Sequence, residues 1–274
     1  MCRHRIVLAA GVWLLLFWVE CVAGADRAST QGAPIQLTDS IIRDALSVAR
    51  EQGVREHLRY FGTQLKERNR FTLAPDGRVA LHRVLARKGD DAAMDQSSAA
   101  YLLFRFPAKE SLQPLVDFVK AADFKQLSAR KKAKAIADDE YMMRVGTVAT
   151  AIEAMGEIGD PAAIPVLKSL PVIPEFASEW GAFPADNALV RLGDAGVDAL
   201  TDVTDKSSQD EIISAARAIR QTRNPKAIES LMRTATAKGK PGQVRASAMG
   251  ALIRMRAEKP EGVQYVVNAM RNPK

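Results

Sequence analysis

The chain has 274 residues, 47% of them hydrophobic and 26% charged, enough for one sizeable core or a run of small stacked ones, which excludes a disordered tail. Lys and Arg number 39 against 32 Asp and Glu, a net charge of +7. Spread over this length, the bias is compatible with an anionic surface or partner without defining one.

At the start of the chain, Arg3, His4 and Arg5 precede the apolar run IVLAAGVWLLLFWV, and small residues follow at Val22-Ala23-Gly24. This is the pattern of a secretory signal, so residues 1–24 are expected to direct export and to be cleaved after Gly24 or one residue earlier. The alternative is an uncleaved N-terminal membrane anchor. The run is short for a span and is closed by Glu20, which favours cleavage. Glu20 before Cys21 also argues against lipid attachment. The expected location is therefore periplasmic or secreted. Cys2 and Cys21, the only cysteines, lie in this segment, so the mature chain would hold no thiol and would rely on helix packing rather than disulfides. Losing Arg3, Arg5 and Glu20 with it lowers the +7 charge by one.

Residues 25–37 open with ADRASTQGAP, small, polar and Pro/Gly-marked, and read as a flexible linker. The region 38–94 is expected to be helical. Thr38 or Asp39 can cap a helix whose apolar face holds Ile41, Ile42, Ala45, Leu46, Val48 and Ala49 and stops near Gly53. A second segment at 54–61 carries His57, Tyr60 and Phe61 and continues into a polar stretch to Arg70. Pro75-Asp76-Gly77 reads as a turn. Val79, Leu81, Val84 and Leu85 mark a short helix ending in Lys88-Gly89-Asp90.

From Ala99 the chain can be laid on itself. AAYLLFRFPAKESLQPLVDFV from Ala99 aligns with AIEAMGEIGDPAAIPVLKSL from Ala151, ADNALVRLGDAGVDALTDV from Ala185, AARAIRQTRNPKAIESLM from Ala215 and AMGALIRMRAEKPEGVQYVV from Ala248. Three residues on come Leu102, Ala154, Ala188, Ala218 and Ala251; one further come Leu103, Met155, Leu189, Ile219 and Leu252. Small residues on this i, i+3, i+4 face allow helices to approach closely. The turn between paired helices recurs as Gly159-Asp160-Pro161, Gly193-Asp194-Ala195 and Arg223-Asn224-Pro225, where Asp or Asn can cap the second helix and Pro suits its first position. That helix repeats Ile164 and Leu167, Val197 and Leu200, and Ile228 and Leu231. Spacings of 34, 30 and 33 residues between Ala154, Ala188, Ala218 and Ala251 are those of a helical hairpin.

These residues resemble HEAT repeats, in particular the short HEAT-like class of the phycobilisome lyases, over 95–274. The resemblance implies an all-α fold, an α-solenoid of about five stacked antiparallel helical hairpins, in which no repeat buries its face alone. Two interruptions fall in it. One is an insertion at about 121–140 holding Lys125, Arg130, Lys131, Lys132 and Lys134, followed by Asp138, Asp139 and Glu140. The other is PVIPEFASEWGAFP between Leu170 and Ala185.

The interruptions supply the candidate partner-binding residues. Arg130, Lys131, Lys132 and Lys134 suit an anionic envelope component, although the acidic run beside them also fits a solvated helix with internal ion pairs. Phe176, Trp180 and Phe183 suit an aromatic anchor for a protein, or a plug between imperfectly stacked repeats. Arg105, Arg191 and Arg254 fall at equivalent helix positions, with Glu157 and Gln221 in the others, forming an acidic-partner stripe or a solvated face.

No catalytic, metal-binding or cofactor-binding residues are assigned. Outside the signal segment the histidines are His57 and His82, with no His-x-x-x-His, Cys-x-x-Cys or Asp-rich loop, and Gly-x-Ser-x-Gly and phosphate-loop spacings are absent. Asp138, Asp139 and Glu140 are adjacent and point in different directions from a helix. The expected function is a non-catalytic exported scaffold that binds a protein, with nucleic acid not expected and membrane contact only through an uncleaved N-terminal segment. The resemblance keeps open a lyase-type enzyme or ligand chaperone, and the basic segment an envelope polyanion binder.

Overall fold

The computed structural model describes residues 34–51, 71–170, 183–206, 209–219 and 225–256. The signal segment, the 54–61 segment with His57, Phe176, Trp180 and the Arg223-Asn224 turn lie outside the described residues. Among the described residues the chain is all-α apart from two three-residue strands, and it packs as two units, Met1–Ala151 and Ile152–Lys274.

The first unit opens on two strand-helix pairs. Strand β1 (Ile35–Leu37) runs into α1 (Asp39–Glu51), and β2 (Phe71–Leu73) runs into α2 (Pro75–Leu85). The strands pair in parallel with Ile35 opposite Phe71. The end of the expected linker is thus a strand, tied in because Leu37 and Phe71 are buried and the Leu37 carbonyl accepts from the Ala74 N–H at 3.2 Å. Pro75-Asp76-Gly77 is not a free turn but the first turn of α2, with Pro at the first helical position, where no intrahelical N–H bond is lost. The Asp76 carboxylate reaches the Asp39 N–H at 3.1 Å and so serves the start of α1. Gly77 is required there, since a Cβ would lie 2.0 Å from the Leu37 carbonyl oxygen.

Helix α3 (Ala93–Arg105) packs on α2, and α4 (Leu112–Ala121) follows through a one-turn 3-10 helix at Lys109–Ser111. Helix α2 packs on both, and Ala99, Ala100, Leu103, Leu115 and Val119 are buried, so the register read from Ala99 places its apolar residues in the core. Because α2 and α3 share this core, residues on both sides of 94 belong to one packed unit. The insertion is α5 (Phe124–Lys132), a surface helix that buries no residue, capped by Asp123 accepting from the Gln126 N–H at 2.9 Å. Helix α6 (Asp138–Ile158) then begins well before Ala151, with Asp138, Asp139 and Glu140 in its first turn, where the helix dipole favours carboxylates.

In the second unit the alanine column is the packing surface. Ala215 and Ala248 have no or almost no exposed surface, as do Ala154, Ala188, Ala218 and Ala251 and the large residues Met155, Leu189, Ile219 and Leu252 after them; Ala151, the last residue of the first unit, is buried as well. Ala185, in the first turn of α8 (Pro184–Arg191), is half-buried. Helix α8 packs on α10 (Gln209–Ile219), and α10 on α12 (Gly242–Arg256); among the partner helices, α7 (Ile164–Ser169) packs on α9 (Asp194–Lys206), and α9 on α11 (Pro225–Thr236). First helices thus lie on first helices and second on second, the stacking rule of helical repeats. Helices approach closely at Gly156, where a Cβ would meet the Ala188 Cα at 2.7 Å, and at Gly196, where one would lie 1.8 Å from the Leu189 carbonyl oxygen.

Gly159 and Gly193 adopt left-handed φ of 73° and 69°, ending one helix so that the next can begin. The Asp160 carboxylate then accepts from the Ala162 N–H at 2.9 Å, as a cap does. Asp194 departs from that pattern. It is already in the first turn of α9, after the Gly193 carbonyl takes the first helical bond from the Val197 N–H at 3.0 Å. In the second helices Ala163, Val197 and Ala227 fill the buried position together with Leu167, Leu200 and Leu231, while Ile164 and Ile228 are half-buried.

Candidate functional site

A cleft of about 800 Å³ opens in the first unit among α2, α4, α5, α6 and the Lys88-Gly89-Asp90 turn. Its apolar floor is set by the same helical faces that build the core, with Leu85, Pro114, Phe118, Leu127 and Val148 contributing. A volume of this order with an apolar floor and a few convergent polar groups is typical of ligand and peptide sites.

The charged lining mixes Arg87, Lys88, Arg130 and Arg144 with Asp90, Asp117 and Asp123, and part of it is paired internally. Arg130 on α5 forks onto the Asp90 carboxylate, Nη1 to Oδ1 at 3.0 Å and Nη2 to Oδ2 at 2.9 Å. Arg144 on α6 donates from Nη2 to the same Oδ1 at 2.9 Å and from Nε to Glu140 Oε1 at 3.0 Å. One carboxylate therefore holds two guanidinium groups, and the Arg130 hydrogen bonds, followed by the Arg144 charge, hold the Asp90 carboxyl below the ordinary aspartate range. Gly89, at φ 110°, carries Asp90 into this position. Further in, Arg87 donates to the buried Asp95 at 2.6 Å, and Gln96 donates to the carbonyls of Arg87 and Leu85 at 2.7 and 3.2 Å, fixing the chain where α2 ends.

His82 lines the cleft, and its Nε2 lies 3.0 Å from the Ser111 Oγ. Arg78 donates to that Oγ at 3.2 Å and to the Phe106 carbonyl at 2.9 Å. The Oγ accepts from Arg78 and also pairs with His82 Nε2, the direction of that second bond being set by the His82 tautomer. Burial, then the Arg78 charge, lower the His82 pKa against the opposing charge of Glu110. A serine beside a histidine suggests a nucleophile, but Ser111 has no exposed surface and an attacking oxygen must reach its substrate. The trio instead ties α2 to the 3-10 turn before α4. Among the described residues no group of three or more His, Cys, Asp or Glu could hold a metal ion.

The structure separates the basic cluster into individual roles. Arg130 is engaged by Asp90, and the Lys131 Nζ lies 4.3 Å from the centre of the Tyr141 ring, within cation–π range. Lys132 and Lys134 are exposed. Phe183 is not a surface anchor: its side chain is buried, its N–H donates to the Ser214 Oγ at 2.7 Å, and its carbonyl accepts from the Asp186 and Asn187 N–H groups. Its apolar ring enters the core because Phe183 stands just before the first turn of α8, where its backbone is fixed by these bonds. Of the arginine column, Arg191 lies 3.2 Å from Glu157 and 3.6 Å from Glu153, so two positions of the column, Glu157 and Arg191, pair with each other across neighbouring helices.

The cleft itself was missed in sequence, since Asp90 lies 40 residues from Arg130 and 54 from Arg144. Only Gly89, a glycine between a lysine and two aspartates, hinted that the backbone there turns for a reason.

Among known families, the PBS lyase HEAT-like repeat matches residues 148–170. No curated protein and no solved structure matches the chain. The matched segment covers the end of α6, the Gly159-Asp160-Pro161 turn and α7, which are the elements whose burial and capping follow the repeat. The chain thus carries a segment similar to a PBS lyase HEAT-like repeat at 148–170, and its described residues are all-α in class.

Proposed function

We propose that the chain is a non-catalytic scaffold, exported to the envelope or beyond, that binds another protein through the cleft of its first unit. The observation that carries this reading is the cleft: an apolar floor around Phe118 and Leu127 beneath a rim of paired charges, the chemistry of a peptide-binding surface with an apolar centre and polar edge. The burial of Ser111 supports binding over nucleophilic catalysis. Export rests on the charged, apolar and small-residue succession of residues 1–24.

The same cleft, being large enough for a small organic molecule, supports a second reading as a ligand chaperone or lyase-type enzyme. The envelope polyanion reading keeps Lys125, Lys132 and Lys134 as exposed cations of its segment, while Arg130 and Lys131 are engaged within the unit. Affinity purification of the tagged full chain from its host separates these readings. A stoichiometric protein lost on Phe118→Asp and kept on Lys132→Glu supports the scaffold. A co-purifying chromophore supports the second reading, and retention on heparin with release by salt supports the third. Intact-mass measurement of the same material shows whether residues 1–24 are removed.

A further inference from the structure

The rim of the cleft carries an internal stand-in for its ligand. Two guanidinium groups from different helices, Arg130 on α5 and Arg144 on α6, converge on one carboxylate that belongs to neither helix. That carboxylate sits on a short turn and is itself well exposed, at 62% of its side-chain surface. Arg144 is 18% exposed and is further oriented by Glu140. The geometry therefore describes a site preset for carboxylate: a fork on one side, a second guanidinium on the other, both positioned by helices. Next to it lies apolar floor, so a carboxylate bound there would be flanked by room for an apolar neighbour.

We propose that this cleft recognises an acidic segment of a partner protein, an Asp or Glu side chain of which displaces Asp90 from Arg130 and Arg144 while an adjacent apolar side chain packs on Phe118 and Leu127. This rests on the reading of the cleft as a protein-binding site and names the chemistry of what enters it. Asp90 acts as a competing occupant: its departure costs two partly exposed ion pairs, and the incoming carboxylate restores them. Charge complementarity selects the acidic residue, and the floor selects its apolar neighbour. Free acetate, lacking the apolar contact, is expected to compete poorly.

The test uses the full chain and a fluorescent, end-blocked peptide of alternating Leu and Asp, with its Leu-Asn counterpart, read by fluorescence anisotropy. The Asp peptide is expected to bind at least tenfold more tightly than the Asn peptide. Asp90→Asn is expected to tighten it by roughly fivefold, the gain from removing an internal competitor held by exposed pairs. Arg130→Gln with Arg144→Gln is expected to weaken it more than tenfold; Asp90→Asn, which leaves both arginines in place, keeps the test decisive should that double variant fold poorly. Equal binding of the two peptides overturns the proposal, as does an Asp90→Asn variant whose affinity is unchanged or lower. If the peptides fail while the full chain still captures a protein dependent on Phe118, the acidic recognition falls and the scaffold reading stands. If the Asp90→Asn gain is present and no protein is captured, the carboxylate site stands and the scaffold reading falls.

Discussion

Among the described residues, Asp186 is one whose pKa is displaced far from its ordinary value. It is buried on α8, accepts a hydrogen bond from the Ser214 hydroxyl, and its pKa is pushed up to about 7, chiefly by burial and further by the charge of Glu211, against the opposing Ser214 bond. A carboxyl whose folded pKa lies above its unfolded value of 3.8 holds its proton longer in the folded state. Its contribution is therefore fully present below the unfolded pKa, declines as pH rises between the two values, and is lost above the folded one. Asp186→Asn keeps an acceptor for Ser214 and removes the titration. Urea midpoints at pH 5 and pH 8 are expected to differ less in Asp186→Asn than in the parent, with an effect on the order of 3 kcal/mol at most. An identical pH dependence in both proteins would show that this carboxyl is already ionised in the fold. Glu153, raised by burial against the charge of Arg191, acts in the same direction and remains in both.

Two residues in the repeat carry packing and capping costs of different size. Gly156→Val places a side chain where the Ala188 Cα already lies within 2.7 Å of a Cβ, so the helices must separate; a loss of about 1–3 kcal/mol is expected, read as a lower denaturant midpoint. Asp160→Ala removes the bond to the Ala162 N–H, and a loss of about 1 kcal/mol is expected. If Asp160→Ala cost as much as Gly156→Val, the turn would be holding more than a cap.

At the scale of elements, the repeats were legible and the first unit largely was not, for a physical reason. Helical hairpins announce themselves locally: Ala154, Met155, Ala188 and Leu189 sit three and four residues apart on one face, and Gly159 and Gly193 mark the left-handed turns beside them. Strands β1 and β2 are three residues each, too short for alternation to register, and they pair with one another across 36 residues of sequence. Pro75-Asp76-Gly77 contains both turn and helix-start signals. What decides it is the distant Leu37 carbonyl, against which only a glycine fits. Asp138, Asp139 and Glu140 read locally as charges on a helix, and nothing beside them marks them as the first turn of the long α6. The basic cluster was visible by composition, but its partners, Asp90 and Tyr141, come from other elements. Burial of Phe183 depends likewise on Ser214, 31 residues on.

Across the whole molecule, recognition is assigned to the interruption of the repeat rather than to the repeat itself. The regular hairpins spend their small and large columns on each other, whereas α5, the irregular addition, buries nothing and leaves its Phe124, Leu127 and Arg130 around the cleft. A repeat array tolerates such an addition because each hairpin needs only its neighbours. The central claim is that this cleft receives a protein. It is tested most directly by replacing Phe118 with a photoreactive benzoyl-phenylalanine in the full chain, irradiating in the native host and identifying the adducts by mass spectrometry. The account predicts one dominant protein adduct at this position, diminished by Arg130→Gln with Arg144→Gln. It is contradicted if position 118 yields no protein adduct while the exposed Ile253, substituted in the same way, does.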